Sequence, residues 1–152
     1  MMTEMDQIDR LILNRIQSDF PLTSRPFDVI AKELELTEQE VIQRLTRLKM
    51  DGIIRRIGGN FVPDKLGYVS TLCSAHVPEE KIPAFVHAVN RHPGVTHNYL
   101  REHHLNMWFT FIAASREEIA KALQEISEET GITDILNLPA TRVFKIRALF
   151  DV

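Results

Sequence analysis

An internal disulfide is excluded for this chain, because Cys73 is its one cysteine. It contains no run of about 18 apolar residues and no basic leader followed by an apolar stretch. Neither a membrane span nor an export signal is expected, and the expected setting is the cytoplasm. Charge of one sign is missing too: 18 Lys and Arg stand against 21 Asp and Glu, a net charge of -3, with no overall attraction to nucleic acid. There is no HExxH pair or paired-cysteine motif for a metal, so no zinc site is expected. The Gly58-Gly59 step lacks the lysine and spacing of a phosphate-binding loop. No repeat or low-complexity segment interrupts the chain. The 152 residues, 44% hydrophobic and 26% charged, suffice for one ordinary domain or two small ones with an apolar core.

The pattern changes near Gly67, dividing the chain into expected domains of residues 1–66 and 67–152. In "MDQIDRLILNRIQSDFP", Ile8, Leu11, Ile12 and Ile16 fall on one helical face, and Pro21 and Pro26 punctuate the segment after it. A second helix, "FDVIAKELEL", carries Phe27, Ile30, Ala31 and Leu34. A third starts at Thr37, which with Glu40 can form a capping box, and turns Val41, Leu45 and Leu48 inward. This order is that of a helix-turn-helix. The β-prone segments Ile53 to Ile57 and Asn60 to Val62, joined by Gly58 and Gly59, add a wing.

Beyond Gly67 the pattern reads β-α-β-β-α-β. "YVSTLCSAHV", a helix from Glu79 to Asn90, "GVTHNYLREH", "LNMWFTFIAA", a helix from Arg116 to Glu129 and "ITDILNLP" are followed by an extra strand, "TRVFKIRALF". The expected fold class is therefore α+β: an N-terminal winged helix-turn-helix followed by a ferredoxin-like (βαββαβ) domain.

Residues 97–110, "HNYLREHHLNMWFT", hold three of the six histidines and the single tryptophan. With period two, Val95, His97, Tyr99 and Arg101 share one face of the first hairpin strand. In its partner strand Asn106, Trp108 and Thr110 share one face, while Leu105, Met107, Phe109 and Phe111 share the other. The second set packs under helices, which leaves the polar-aromatic set facing a ligand or a second subunit.

The order "IDRLILNRIQ … IAKELELTEQEVIQRLTRLKMDGIIRRIGGNFVPDKLGY" resembles the Lrp/AsnC group over essentially the whole chain. The stretches "FPLTSRPFDVIAKEL", "GGNFVPDKLGY", "PGVTHNYLREHHLNMWFT" and "LPATRVFKIRALFD" look more narrowly like the siroheme decarboxylases, Lrp/AsnC-like enzymes of alternative haem and haem d1 synthesis. That resemblance implies loss of carbon dioxide from two acetate groups of siroheme to give didecarboxysiroheme. It also implies a pair of homologous subunits and no cofactor beyond the iron carried by the substrate. The alternative is an Lrp/AsnC-type transcriptional regulator binding a small effector.

For a carboxylated tetrapyrrole, Trp108 and Tyr99 offer flat apolar area, Arg101 can pair with a carboxylate and Asn106 can fix an edge. Arg142, Lys145 and Arg147 add cations that could bind carboxylates or simply be solvated. His97 could deliver the proton that replaces carbon dioxide, with the macrocycle taking up developing negative charge, or it could be a structural hydrogen-bonded histidine. His103 and His104, at the turn, could reach the iron or a propionate or be merely exposed. His76, His87 and His92 are scattered over other elements. Specific DNA binding is not expected, because Glu38 and Glu40 occupy the reading end of the third helix. Arg44, Arg47, Lys49, Arg55 and Arg56 could serve as a solvated or salt-bridged face, as ligand contacts or as phosphate contacts.

Overall fold

A computed structural model describes residues 4–59, 61–145, 149–150 and 152. The chain forms two units, residues 1–59 with 145–152, and residues 60–144. The helical unit runs to Gly59, while the expected change of pattern lies near Gly67, and Phe150 and Val152 bond to α1 within the helical unit.

Helix α1 (Gln7–Ser18) opens on a reciprocal cap: the Asp6 carboxylate accepts from the Asp9 N–H at 2.8 Å, and the Asp9 carboxylate accepts from the Asp6 N–H at 3.1 Å. Helix α2 (Pro26–Glu33) begins with proline, where the missing N–H costs nothing. The turn into α3 (Glu38–Met50) passes through Glu35 at φ +56, a left-handed conformation unusual for a residue with a side chain. Thr37 caps α3 by accepting from the Glu40 N–H at 3.2 Å. The expected box there stays half-made, because the Glu40 carboxylate turns to Arg44 Nε at 3.1 Å.

Ile12, Ile30, Val41, Leu45 and Leu48 form the interior of this unit, with Ile8, Ile16 and Phe27 packed around them. Leu11, expected on the inner face, is 45% exposed, whereas Asp9 is fully buried. Two arginines of α3 account for this. Arg44 reaches Asp9 at 2.9 Å and Asp6 at 2.7 Å, and Arg47 also donates to the Asp9 carboxylate. Arg44 holds the Asp6 carboxyl below the ordinary carboxylate range, helped by the Asp9 backbone N–H. The hydrogen bond to Asp6, with others to Asp9 and Glu40, raises the Arg44 guanidinium in turn.

The expected wing strands are not formed: residues 53–59 and 61–62 carry no regular strand, and Asn60 lies outside the described residues. The extra strand over 141–150 is likewise absent from its described part. Phe150 and Val152 are instead held by α1 side chains. Gln17 Nε2 donates to the Phe150 carbonyl at 2.5 Å while its oxygen accepts from the Phe150 N–H at 2.9 Å. Asn14 does the same to Val152 at 3.0 and 3.5 Å.

The second unit is a four-stranded antiparallel sheet in the order β2-β3-β1-β4. Its strands are β1 (Val69–Ala75), β2 (Val95–Leu100), β3 (Met107–Ala113) and β4 (Ile135–Leu138). Helix α4 (Ile82–Asn90), entered through a short 3-10 turn, and α5 (Arg116–Thr130) supply the crossovers. This is the expected βαββαβ pattern. Ser115 caps α5 and Gly131 ends it at φ +67. One sheet face packs Cys73, Ala75, Met107, Phe109 and Phe111 against Phe85, Val89, Ile119 and Ile126.

The buried cluster sets a test of the helical unit. Asp9→Ala should destabilise it by about 3 kcal/mol, the lower end for a broken buried pair because Arg44 keeps Asp6 and Glu40. Urea unfolding followed by circular dichroism reads this out. Asp6 contributes stability that is complete above the ordinary carboxylate range and is lost as pH falls through its lowered value.

Candidate functional site

The hairpin of β2 and β3 begins at Gly94, where a Cβ would lie 2.2 Å from the Ile112 carbonyl oxygen and 2.8 Å from the Phe111 ring. Only glycine allows that approach, which the Ile112 N–H closes with a 2.8 Å bond to the Gly94 carbonyl. Val95 then pairs with Phe111 and His97 with Thr110, so the pairing slips by one residue at Thr96. The slip corrects the simple alternation. Val95 faces the helices and packs on the core, whereas His97 and Tyr99 face away from them.

The pairing sets two rows across the face that carries no helix. Tyr99, Trp108, Ser74 and Leu136 form one, and His97, Thr110, Leu72 and Leu138 the other. The His97 and Tyr99 rings stack with centres 6.0 Å apart and planes 18° from parallel. The Arg101 guanidinium lies 5.7 Å from the centre of the Tyr99 ring. His97, Tyr99 and Arg101 are therefore brought together on one exposed strip. His97 Nδ1 sits 3.1 Å from Thr96 Oγ1 and 3.3 Å from Thr110 Oγ1.

Other expected site residues are placed differently. Trp108 is half-buried, and its indole N–H donates to the Leu105 carbonyl at 2.7 Å, which fixes the ring plane. The Asn106 amide accepts from the Val77 N–H and donates to the Val77 carbonyl, both at 2.8 Å, so it pins the hairpin to the chain leaving β1. His103 Nδ1 accepts from the Leu105 N–H at 3.1 Å within the turn. His104 stacks on His76 with ring centres 4.7 Å apart, and His76 Nδ1 donates to the His104 carbonyl at 2.7 Å. The Arg142 guanidinium covers the Phe144 ring at 5.0 Å. Lys145 belongs to the helical unit, and Arg147 lies outside the described residues.

Thr96, Thr110 and His76 complete the local arrangement, although no sequence motif marks them. His76 follows Ala75, which pairs with Met107, so the β1-β3 register could have placed it beside the turn. Thr96 has no comparable signal, since a bulge is a property of the pairing. Among the described residues, no three His, Cys, Asp or Glu side chains gather as a metal site. No described helix is long and apolar enough to cross a membrane. Cys73 is buried in the core, and desolvation pushes its thiol up to about 12, which makes it inert.

A helix-turn-helix joined to a βαββαβ sheet is the architecture of the Lrp/AsnC class. The model of the AsnC-like ligand binding domain matches residues 65–145. The crystal structure of E. coli AsnC superposes with a TM-score of 0.73 at 19% identity, over 97% of this chain and 99% of that one. Within the class, the chain belongs to the siroheme decarboxylase family. Its residues 9–55 match the siroheme decarboxylase NirDL-like HTH domain. It is 54% identical to the siroheme decarboxylase alpha subunit of Desulfovibrio desulfuricans, over 98% of this chain and 86% of that protein. The crystal structure of the siroheme decarboxylase NirDL aligns over 96% of this chain with 32% identity and a TM-score of 0.67. This chain spans 48% of that one. NirDL has also been solved in co-complex with an iron-uroporphyrin III analogue, to which this chain aligns at 30% identity over 93% of its length and 48% of the other, with a TM-score of 0.65.

The close approach at Gly94 is testable. Gly94→Ala should destabilise the protein by about 1–3 kcal/mol, the usual cost of overpacking, because the clash is with backbone. A lowered urea midpoint with an unchanged slope is the expected signature.

Proposed function

We infer that this chain is the alpha-type subunit of a siroheme decarboxylase, a carboxy-lyase acting in haem biosynthesis. The observation that carries this is the 54% identity to the Desulfovibrio desulfuricans alpha subunit across nearly the full length of the chain. The substrate is siroheme, which brings its own iron, and two acetate carboxyl groups leave as carbon dioxide to give didecarboxysiroheme. Each step breaks the bond from a methylene carbon to its carboxylate. The electron pair passes into the macrocycle, and one proton must then reach that carbon to make a methyl group.

The residues on the exposed strip suit these needs. His97 is the proton donor, because imidazole exchanges protons near neutrality. Arg101 holds the departing carboxylate or its neighbour. Tyr99 and Trp108 supply flat surface for the macrocycle, and His103 and His104 lie within the turn at the end of the same hairpin. Arg142, Lys145 and Arg147 are proposed to meet further carboxylates.

The partner is a homologous decarboxylase subunit. The named alpha subunit among the relatives supports this, as does the face bearing Leu72, Leu136, Leu138 and Tyr99, all exposed and without a helix layer. The same reading has the chain bind no specific DNA. Arg44 and Arg47 of α3 are engaged with Asp6 and Asp9, and Glu38 at its start pairs with Arg25 at 2.5 Å. The rival reading, a regulator, rests on fold alone.

Anaerobic incubation of siroheme with the chain and its homologous partner subunit should yield a product lighter by two carbon dioxide molecules, read by mass spectrometry. An unchanged mass, together with a sequence-specific DNA footprint at physiological salt, would instead favour the regulator. His97→Ala should lower turnover by about 10²–10⁴-fold with siroheme binding nearly intact, because a proton donor acts in the transition state. Arg101→Ala should weaken binding as well, by about 1.5–3 kcal/mol for a charge-assisted contact.

A further inference from the structure

Thr96 is the extra residue of the hairpin bulge, with no partner of its own across the ladder. The slip brings its hydroxyl to 2.6 Å from Thr110 Oγ1 and 3.1 Å from His97 Nδ1. Thr110 lies directly opposite His97 in the ladder, with its hydroxyl 3.3 Å from the same nitrogen. Two hydroxyls thus close around one nitrogen of one imidazole, and the Tyr99 ring lies nearly parallel to that imidazole.

We propose that Thr96 and Thr110 are positioning residues for decarboxylation: they hold the proton of His97 on Nδ1, so that Nε2 exchanges protons with the substrate. The proposal rests on the reading of His97 as the acid. An imidazolium carries a proton on each nitrogen, and loss of the Nε2 proton to carbon leaves the neutral ring with its proton on Nδ1. Nδ1 therefore needs an acceptor throughout the cycle. Thr96 Oγ1 can accept from it and pass its own hydrogen to Thr110 Oγ1, completing a chain from ring to hydroxyl to hydroxyl.

The choice of hydroxyls matters. A carboxylate in the same place would also select the Nδ1-protonated form, but its charge would stabilise the imidazolium and make the proton harder to give away. A neutral hydroxyl orients the ring without that effect. The bulge is what makes the arrangement available. In an unslipped ladder Thr96 would lie on the opposite face from its neighbour His97, out of reach of Nδ1.

A free neutral histidine favours the proton on Nε2, so the proposal predicts a reversal that nitrogen-15 NMR of the ring resolves. In the full chain at a pH where His97 is neutral, its Nδ1-protonated form should dominate. The double variant Thr96→Val, Thr110→Val keeps shape and β-propensity, and should return the ring to the Nε2-protonated form. Serine at both positions should restore the native tautomer. With siroheme and the partner subunit present, the valine variant should lose about tenfold to a hundredfold in kcat with KM little changed, the cost of a misaligned acid, and the serine variant should recover it. A native ring protonated on Nε2, or a tautomer and kcat unmoved in the valine variant, overturns the proposal. If His97→Ala itself retains native turnover, the assignment of the acid has failed, which is a different result from an unmoved tautomer in an enzyme that needs His97.

Discussion

The one-residue slip between β2 and β3 decides which way every hairpin side chain points. A strand has period two, so a shift by one exchanges its faces. Before the slip, Val95 packs under the helices with Phe111; after it, Asn98 and Leu100 pair with the inward residues Phe109 and Met107, while His97 and Tyr99 join Thr110 and Trp108 outside. Gly94 makes this start possible by letting the chain come against the Ile112 carbonyl. The exposed strip of imidazole, phenol and guanidinium is thus a consequence of backbone pairing, fixed before any ligand arrives.

In the helical unit two cations of α3 are turned inward onto α1 and its cap. A recognition helix works by presenting cations to phosphates and donors to base edges. Here Arg44 and Arg47 neutralise Asp9, a carboxylate wholly removed from water. Freeing either arginine for phosphate would leave that buried charge under-compensated, which opposes the motion energetically. Stability of the unit and contact with DNA compete for the same side chains.

Element order and type were legible in the sequence because they rest on long apolar periodicities: the 3.6-residue pattern of α3 and α5 and the strict alternation from Met107 to Phe111. The outward facing of Trp108 follows from that alternation, whereas the inward turn of Val95 against the outward His97 and Tyr99 needs the slip at Thr96. The burial of Asp9 was not legible, since a carboxylate enters the interior only when partners distant in sequence meet it, here 35 and 38 residues away. Nor could the wing and the last strand be judged from β-propensity, because an isolated run needs a ladder partner to become a strand. The threonine cluster around His97 depends on a bulge, which leaves no periodic trace. Asn106 illustrates the remaining gap: its residue type suited ligand recognition, and the fold uses both sides of its amide on Val77.

The grip of Asn14 and Gln17 on residues 150 and 152 depends on each carboxamide being both giver and taker. Deamidation, the slow hydrolysis that converts such side chains to acids during storage, would leave two accepting oxygens where the backbone carbonyl of Phe150 or Val152 requires a donor. Chemical ageing at Asn14 or Gln17 would then register as a loosening of Val152 or Phe150, with the buried cluster around Asp9 left intact.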